Sequence, residues 1–370
     1  MIIQSTRVYI DECFCRKQIE IDKGKIIGIY DYGQFDCVDY GDCMVIPGLV
    51  DVHMHGYMGC DANHASVDFV HSWMKGLLDD GVTSCLCTTS TCEHETILKG
   101  MENIYKASLM PYVGSHILGI YSEGPFIAEP FQGAQSLSLM QVPTKAIIDD
   151  YIKASGGLLK YVMMAPEKIK DYSLIDYCKQ KGIVVSIGHT GATFEQCSKA
   201  IAHGANSFTH TFNGMKGLHH REAGVVGAAM YYAWCYAELI GDGIHVCKET
   251  MNILGRLKGK NHLILVTDAI SLKGYPVGDY GDYKVCEDGV CRLPNGVLAG
   301  SCNRLNKILQ YAIEQAQMDV VTCVNACTIN PCQMLGIAKK GLISMGFDAD
   351  IVVLDDDFEP KTVFINGKLV

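Results

Sequence analysis

The chain has 370 residues, 48% of them hydrophobic and 19% charged, with a formal net charge of -10 at pH 7. That length exceeds an average domain and suits a large enzyme barrel, typically ~250 residues, with a smaller unit attached. The acidic balance argues against binding to nucleic acid or an anionic membrane, so an anionic ligand needs a local basic pocket.

The N-terminal stretch MIIQSTRVYIDECF lacks a basic segment followed by a long apolar one, and no run of ~18 apolar residues occurs, which predicts a cytoplasmic protein. Residues 1–46 read as short strands, RVYI, KQIEID, GKIIGIYD and CMVIPG, separated by polar or glycine-bearing turns. Residues 346–370 add ADIVVLD and KTVFINGKLV in the same style, so both termini are expected to build one small β-sandwich domain. Between them, residues 47–345 alternate strand and helix. Strand-like runs occur at GLVDVHMH, VTSCLCTT, SHILGIYSEG, LKYVMMAPE, IVVSIGHT, NSFTHTFN, CYAELIGDG and LILVTDA. Helix-like text such as SVDFVHSWMKGLLDDG, DYSLIDYCKQKG, TFEQCSKAIAHG and CKETMNILGRLKG lies between them, closing on glycine. The pattern predicts the α/β class and a (β/α)8 TIM-like barrel. An open doubly wound sheet is the weaker alternative, because no Gly-x-Gly-x-x-Gly loop follows the first strand. Eighteen cysteines, many in apolar text such as Cys85 and Cys87, include no Cys-x-x-Cys pair and read as buried thiols of a reducing compartment.

In PGLVDVHMHG, His53 and His55 lie two residues apart, so a strand turns both to one face. Alone, the pair fits a polar rim as well as a metal clamp. Barrel active sites gather at the C-terminal strand ends, and those ends carry further ligand types. They are Glu123 of SEGPF, His189 of GHT, His210 of THTFNG, Asp242 and His245 of DGIH, and Asp268 of TDA. Each has an ordinary reading on its own: a helix cap for Asp268, a backbone bond for His210, a lysine pair for Glu123. Their joint occurrence at successive strand ends favours a divalent metal, zinc first, with other first-row ions as alternatives.

These segments resemble the amidohydrolase superfamily and, within it, the N-acetylglucosamine-6-phosphate deacetylase family. The likeness runs through PGLVDVHMHG, SEGPFI, GHTGATFEQ, THTFNGMKGLHHREAGVVGAAM, DGIHV, LVTDAISLKG, LAGS and DADIVVLD. It implies metal-dependent hydrolysis of the acetamide of a phosphorylated N-acetyl amino sugar. Glu123, His189 and His210 match the metal site the family generally keeps. His53 and His55 match the pair that holds a second ion in some members, with Glu123 as bridge, giving one or two ions per subunit. Asp268 matches the carboxylate that takes a proton from water and passes it to the departing amine. Arg221, His245 and the backbone near Asn213 and Gly214 are implied in phosphate or sugar binding, and Arg221 in reaching a neighbouring subunit's site within a homodimer.

Three departures bear on the substrate. Gln135 of FQGAQS stands where the family usually has a histidine holding the acyl carbonyl; Ala223 replaces a frequent proline; and Asn303 and Arg304 follow LAGS, where Arg304 is a candidate contact for an anionic or hydroxyl-rich substrate. N-acetylgalactosamine-6-phosphate or another N-acetyl amino sugar therefore stays open as the substrate. A carboxylated-lysine amidohydrolase is disfavoured, since Lys160 opens the fourth strand instead of ending it. A non-catalytic scaffold is disfavoured by the complete set of ligand types.

Overall fold

A computed structural model describes all 370 residues. Eight parallel strands form one nearly closed sheet in chain order: Leu49–Asp51, Val82–Thr89, His116–Ser122, Leu159–Met164, Val184–Ile187, Ser207–Phe208, Tyr236–Ile240 and Leu263–Val266. A helix of eight or more residues follows each strand, from Val67–Gly76 after the first to Leu305–Glu314 after the eighth. The predicted helix over residues 66–81 is in fact an α-helix, Val67–Gly76, and a 3-10 turn, Leu77–Asp80, ended by Gly81 at φ 71°. The helix Phe194–His203 shows how the sequence sets such boundaries. Thr193 and Gln196 form a reciprocal capping box at its start, and Gly204 at φ 115° closes its end. No helix is long and apolar enough to cross a membrane.

The strands are buried on both faces and still sort their side chains by alternation. Val162 and Met164, like Ala237 and Leu239, pack outward among the helices. Tyr161, Met163, Tyr121, Leu86, Ile240 and Val266 fill the barrel interior. Tyr121 and Tyr161 stack with ring centroids 4.1 Å apart, and their hydroxyls bond Thr209 (2.8 Å) and Ser207 (2.7 Å). This packed floor leaves only the C-terminal rim for chemistry.

The first and eighth strands share no ladder along their length. Asp51 spans that gap, its carboxylate accepting from the Thr267 hydroxyl at 2.6 Å. Above it the chain extensions pair: Asp268 N donates to His53 O (2.9 Å) and His55 N to Ala269 O (2.7 Å). The barrel therefore closes through the residues of its own rim.

The termini form one sheet in which residues 2–10 are central, bonding residues 13–22 on one edge and both 38–39 and 44–47 on the other. The C-terminal strands Ile351–Leu354 and Pro360–Ile365 continue beyond 44–47. Alternation again divides the faces. Ile46, Val352 and Ile365 join the barrel's core, while Val45, Ile351 and Phe364 share a separate cluster with Ile3, Ile19 and Ile26. The sheet curls around that cluster, and Ile26 N bonds Phe347 O at 3.0 Å across it. All eighteen cysteines are free thiols.

An unanticipated four-stranded antiparallel sheet, Gly278–Tyr280, Tyr283–Val285, Val290–Arg292 and Leu298–Ser301, is inserted after the eighth strand. Strands of three or four residues leave too little alternation to read. Arg304, just beyond it, corrects the expectation of a substrate contact: its guanidinium bonds Asp80 (2.8 Å) and Glu359 (2.9 Å). Lys273 pairs with the same buried Asp80, so Arg304 completes a structural ion cluster.

Asp350 fastens the terminal sheet to the barrel. Its carboxylate accepts from Asn366 N at 2.7 Å, pairs with Lys340 and lies 3.6 Å from His116 Nε2. Burial would raise its pKa, but His116, Lys340 and the Asn366 amide outweigh burial and bring it to about 2. A carboxyl depressed in the folded state stabilises fully above its unfolded pKa near 4 and loses that contribution as pH falls through about 2. Chemical denaturation between pH 5 and 2 is expected to show Asp350→Asn lacking about 2 kcal/mol of the acid-dependent loss seen in the parent chain.

Candidate active site

Three of the rim residues sit at the same place relative to their strands. His189, His210 and Asp268 each lie two positions beyond a strand end, at φ 44°, 28° and 46°. Left-handed backbone costs a non-glycine residue roughly 1–2 kcal/mol. Here it turns successive side chains inward over the barrel mouth. His53 and Glu123 follow their strands by two and one residues and converge on the same point.

Glu123 is the hub. Its Oε1 lies 2.8 Å from His210 Nε2, 3.1 Å from His189 Nε2 and 3.6 Å from His53 Nε2; its Oε2 lies 3.3 Å from His55 Nε2. Two triads result, His53–His55–Glu123 and Glu123–His189–His210, both buried and sharing the carboxylate. Asp268 Oδ1 stands beside the first, 3.4 Å from His53 Nε2 and 3.2 Å from His55 Nε2.

The outer ring nitrogens decide what the inner ones present. His55 Nδ1 lies 3.2 Å from Thr88 O, His189 Nδ1 2.7 Å from Phe131 O, and His53 Nδ1 2.9 Å from Glu238 Oε2. These partners can only accept, so each Nδ1 carries the hydrogen and each neutral ring turns an Nε2 lone pair inward. Lone pairs then face each other at 3.3 Å between His53 and His55, and His189 turns its own towards the Glu123 carboxylate, while His210, whose Nδ1 has no partner, brings Nε2 to 3.1 Å from that of His189. Such a donor set fits a divalent cation of the zinc type. The local field has the matching sign. Burial lowers His53 and His55, but Asp268, Glu238 and Glu123 outweigh it at His53 and Asp268 and Glu123 at His55, lifting them to about 9 and about 10, so without an ion these rings take up protons in its place. Burial would raise Glu123, yet His189, His53 and His210 hold it well below the usual carboxylate range. Asp268 is likewise lowered, with His53 and His55 overcoming its burial.

A cavity of roughly 610 Å³ opens above the triads, lined among others by Asn213, Gly214, His245, Gln135 and the inserted-sheet residues Leu298–Gly300. His245 Nδ1 is tied to Asp242 at 2.7 Å, which leaves Nε2 for the cavity. Gly214, at φ 56°, runs close under His189; a Cβ there would come within 3.0 Å of the ring. Gln135 faces its neighbours with both ends of its amide, Nε2 donating to Glu123 Oε2 (2.8 Å) and Oε1 accepting from Thr91 N (2.9 Å). Arg221 is not at this cavity. It sits exposed, beside His220 at 2.8 Å, and no lysine or arginine lines the cavity at all. Sequence reasoning missed Glu238, although a lone carboxylate in the apolar strand text CYAELIGDG is itself a signal, since a buried charge needs a partner.

An eight-stranded barrel with histidine pairs, a shared glutamate and an aspartate on the tips of its first, third, fifth, sixth and eighth strands defines a hydrolase of the amidohydrolase type. The amidohydrolase family profile matches residues 44–370, and the chain belongs to that family. Its curated relatives include deacetylases of amino-sugar phosphates. N-acetylglucosamine-6-phosphate deacetylase of Vibrio furnissii is 33% identical, with 94% of this chain and 89% of that protein covered. N-acetylgalactosamine-6-phosphate deacetylase of Escherichia coli O157:H7 is 32% identical, covering 88% and 87%. The structure of N-acetyl-D-glucosamine-6-phosphate deacetylase from Mycobacterium smegmatis in complex with N-acetyl-D-glucosamine-6-phosphate superposes with a TM-score of 0.94 at 27% identity, covering 100% of this chain and 98% of that one.

Proposed function

We propose that this protein hydrolyses the acetamide of N-acetylglucosamine-6-phosphate to glucosamine-6-phosphate and acetate. The observation that carries the reading is the pair of buried triads sharing Glu123, with Asp268 within 3.4 Å of the first, in a chain that aligns almost end to end with deacetylases. His53, His55, Glu123, His189 and His210 would hold the metal, zinc by the chemistry of the donors. When bound, such an ion lowers the pKa of water from 15.7 towards ~7 and polarises a carbonyl. Asp268, ionised and open to the cavity, takes the water proton and delivers it to the nitrogen, because an amine leaves an amide only once protonated. Gln135 keeps Glu123 oriented. His245, through Nε2, and the chain at Asn213 and Gly214 hold the sugar.

A phosphate needs a cation that the cavity of one subunit does not supply. Arg221 on its exposed loop suits the site of a second copy, where its planar fork of donors matches phosphate oxygens. This favours a homodimer with shared sites. Eighteen free thiols favour the reducing cytoplasm. N-acetylgalactosamine-6-phosphate is the second reading, favoured by the nearly equal identity to the Escherichia coli relative.

Three measurements test this reading. Amine release from N-acetylated hexosamines after divalent-metal loading is expected with the 6-phosphate esters and at most weakly without phosphate; no release from any phosphorylated sugar overturns the proposal. Asp268→Asn is expected to lose at least ~100-fold in kcat, the scale of acid–base catalysis, while elemental analysis shows its metal retained. Arg221→Ala alone and Asp268→Asn alone should both be nearly inactive. Mixing the two under subunit exchange should restore up to about a quarter of the parent rate, since a mixed dimer holds one intact site; an unchanged rate would place Arg221 in its own subunit's site or outside catalysis.

A further inference from the structure

Glu238 occupies a position that the barrel's packing reserves for apolar side chains. On the strand Tyr236–Ile240 it shares the interior face with Ile240, while Ala237 and Leu239 face the helices. It is completely buried. Its Oε2 accepts from His53 Nδ1 at 2.9 Å and from the backbone N–H of His210 at 3.1 Å; its Oε1 has no hydrogen-bond partner. His53 is its only ion-pair partner. An ionised carboxylate so placed costs several kcal/mol unless positive charge compensates it nearby.

Two consequences follow from this geometry. First, Glu238 acts on the two triads unequally: it bonds the ligand ring of His53 in one and only the backbone N–H of His210 in the other. Second, it is the third carboxylate of the group, with Glu123 and Asp268, and the salt bridges of all three run to histidine alone. With neutral rings, two dications facing only Glu123 and Asp268 would leave two positive charges uncompensated inside the barrel, and the Glu238 carboxylate cuts that excess to one.

We propose that Glu238 is a positioning residue that makes His53, His55 and Glu123 a permanently occupied second metal position, by locking the His53 ring with Nε2 inward and supplying the balancing charge. The inference rests on the metal-dependent reading above, and it deepens that reading by setting the number of ions. Carboxylates that orient ligand histidines typically change metal affinity 10- to 100-fold when removed.

The test is zinc binding to chelator-stripped protein, followed by equilibrium dialysis with elemental analysis, for the parent chain, Glu238→Gln and Glu238→Ala. The parent is expected to bind two zinc ions. Glu238→Ala should keep one at parental affinity and bind the other at least 10-fold more weakly, and Glu238→Gln, which retains an acceptor without the charge, should fall between. His53→Asn should show the same one-ion stoichiometry, and adding Glu238→Ala to it should cause no further loss. Should the alanine variant fail to fold by circular dichroism, the glutamine variant decides alone. Two parental-affinity ions in a folded Glu238 variant, or a weakening of both positions alike, overturns the proposal. A parent that binds one ion overturns it too and leaves the proposed activity standing, whereas a parent that binds none removes the metal-dependent reading itself.

Discussion

The fold depends on how the first and eighth strands meet. No ladder joins them, so closure falls to the Asp51 carboxylate below and to the paired extensions His53–His55 and Asp268–Ala269 above. Asp51 accepts this task at a cost: burial raises its pKa to about 6, against the pull of Lys273 and the hydroxyl and amide of Thr267. The same backbone bonds that shut the barrel carry the first-strand histidines and the Asp268 carboxylate to within 3.4 Å of each other. Closure and assembly of the site are one event.

Strain at the rim is held by the same means. Asp268 is fixed by His53 O, His210 by Glu238 and by Asn213 N bonding its carbonyl, and His189 by Ala128 N on its carbonyl. Each left-handed residue thus has a partner from another strand or loop, so the inward turn that would be costly in isolation is set by tertiary structure. The imidazoles of His53, His55 and His189 are further fixed through Nδ1, and the arrangement is organised before any substrate arrives.

Much of this was legible in the chain. The eight barrel strands stand out because they are short apolar runs bounded by turns, and a parallel sheet buried on both faces requires such runs. His53, His55, Glu123, His189, His210 and Asp268 were visible because ligand types recur at strand ends. Less legible were features that rest on tertiary partners. The inserted sheet has strands too short for periodicity, and the role of Arg304 depends on Asp80, 224 residues away in sequence. Asp51 and Glu238 lie inside apolar text that reads as core, and only the assembled barrel shows what each one bonds. Gln135 reads from the sequence as a substrate contact; the structure brings it to the cavity with its amide bonded at both ends, by Thr91 and Glu123, which no local pattern shows.

The last strand of the inserted sheet joins two duties on one stretch of backbone. Its residues Leu298–Gly300 form a wall of the cavity, and the next residue, Ser301, donates its N–H to Asp268 O at 2.9 Å while its carbonyl accepts from Ile270 N at 3.0 Å. Gly300 passes so near that a Cβ would lie 2.9 Å from Asp268 O. The surface that a sugar would meet and the carboxylate proposed to move the proton are therefore tied together through the same backbone bonds. Any drift of that wall towards a different sugar would also displace Asp268, so, on the proposed reading, selectivity and rate are inherited together along this edge.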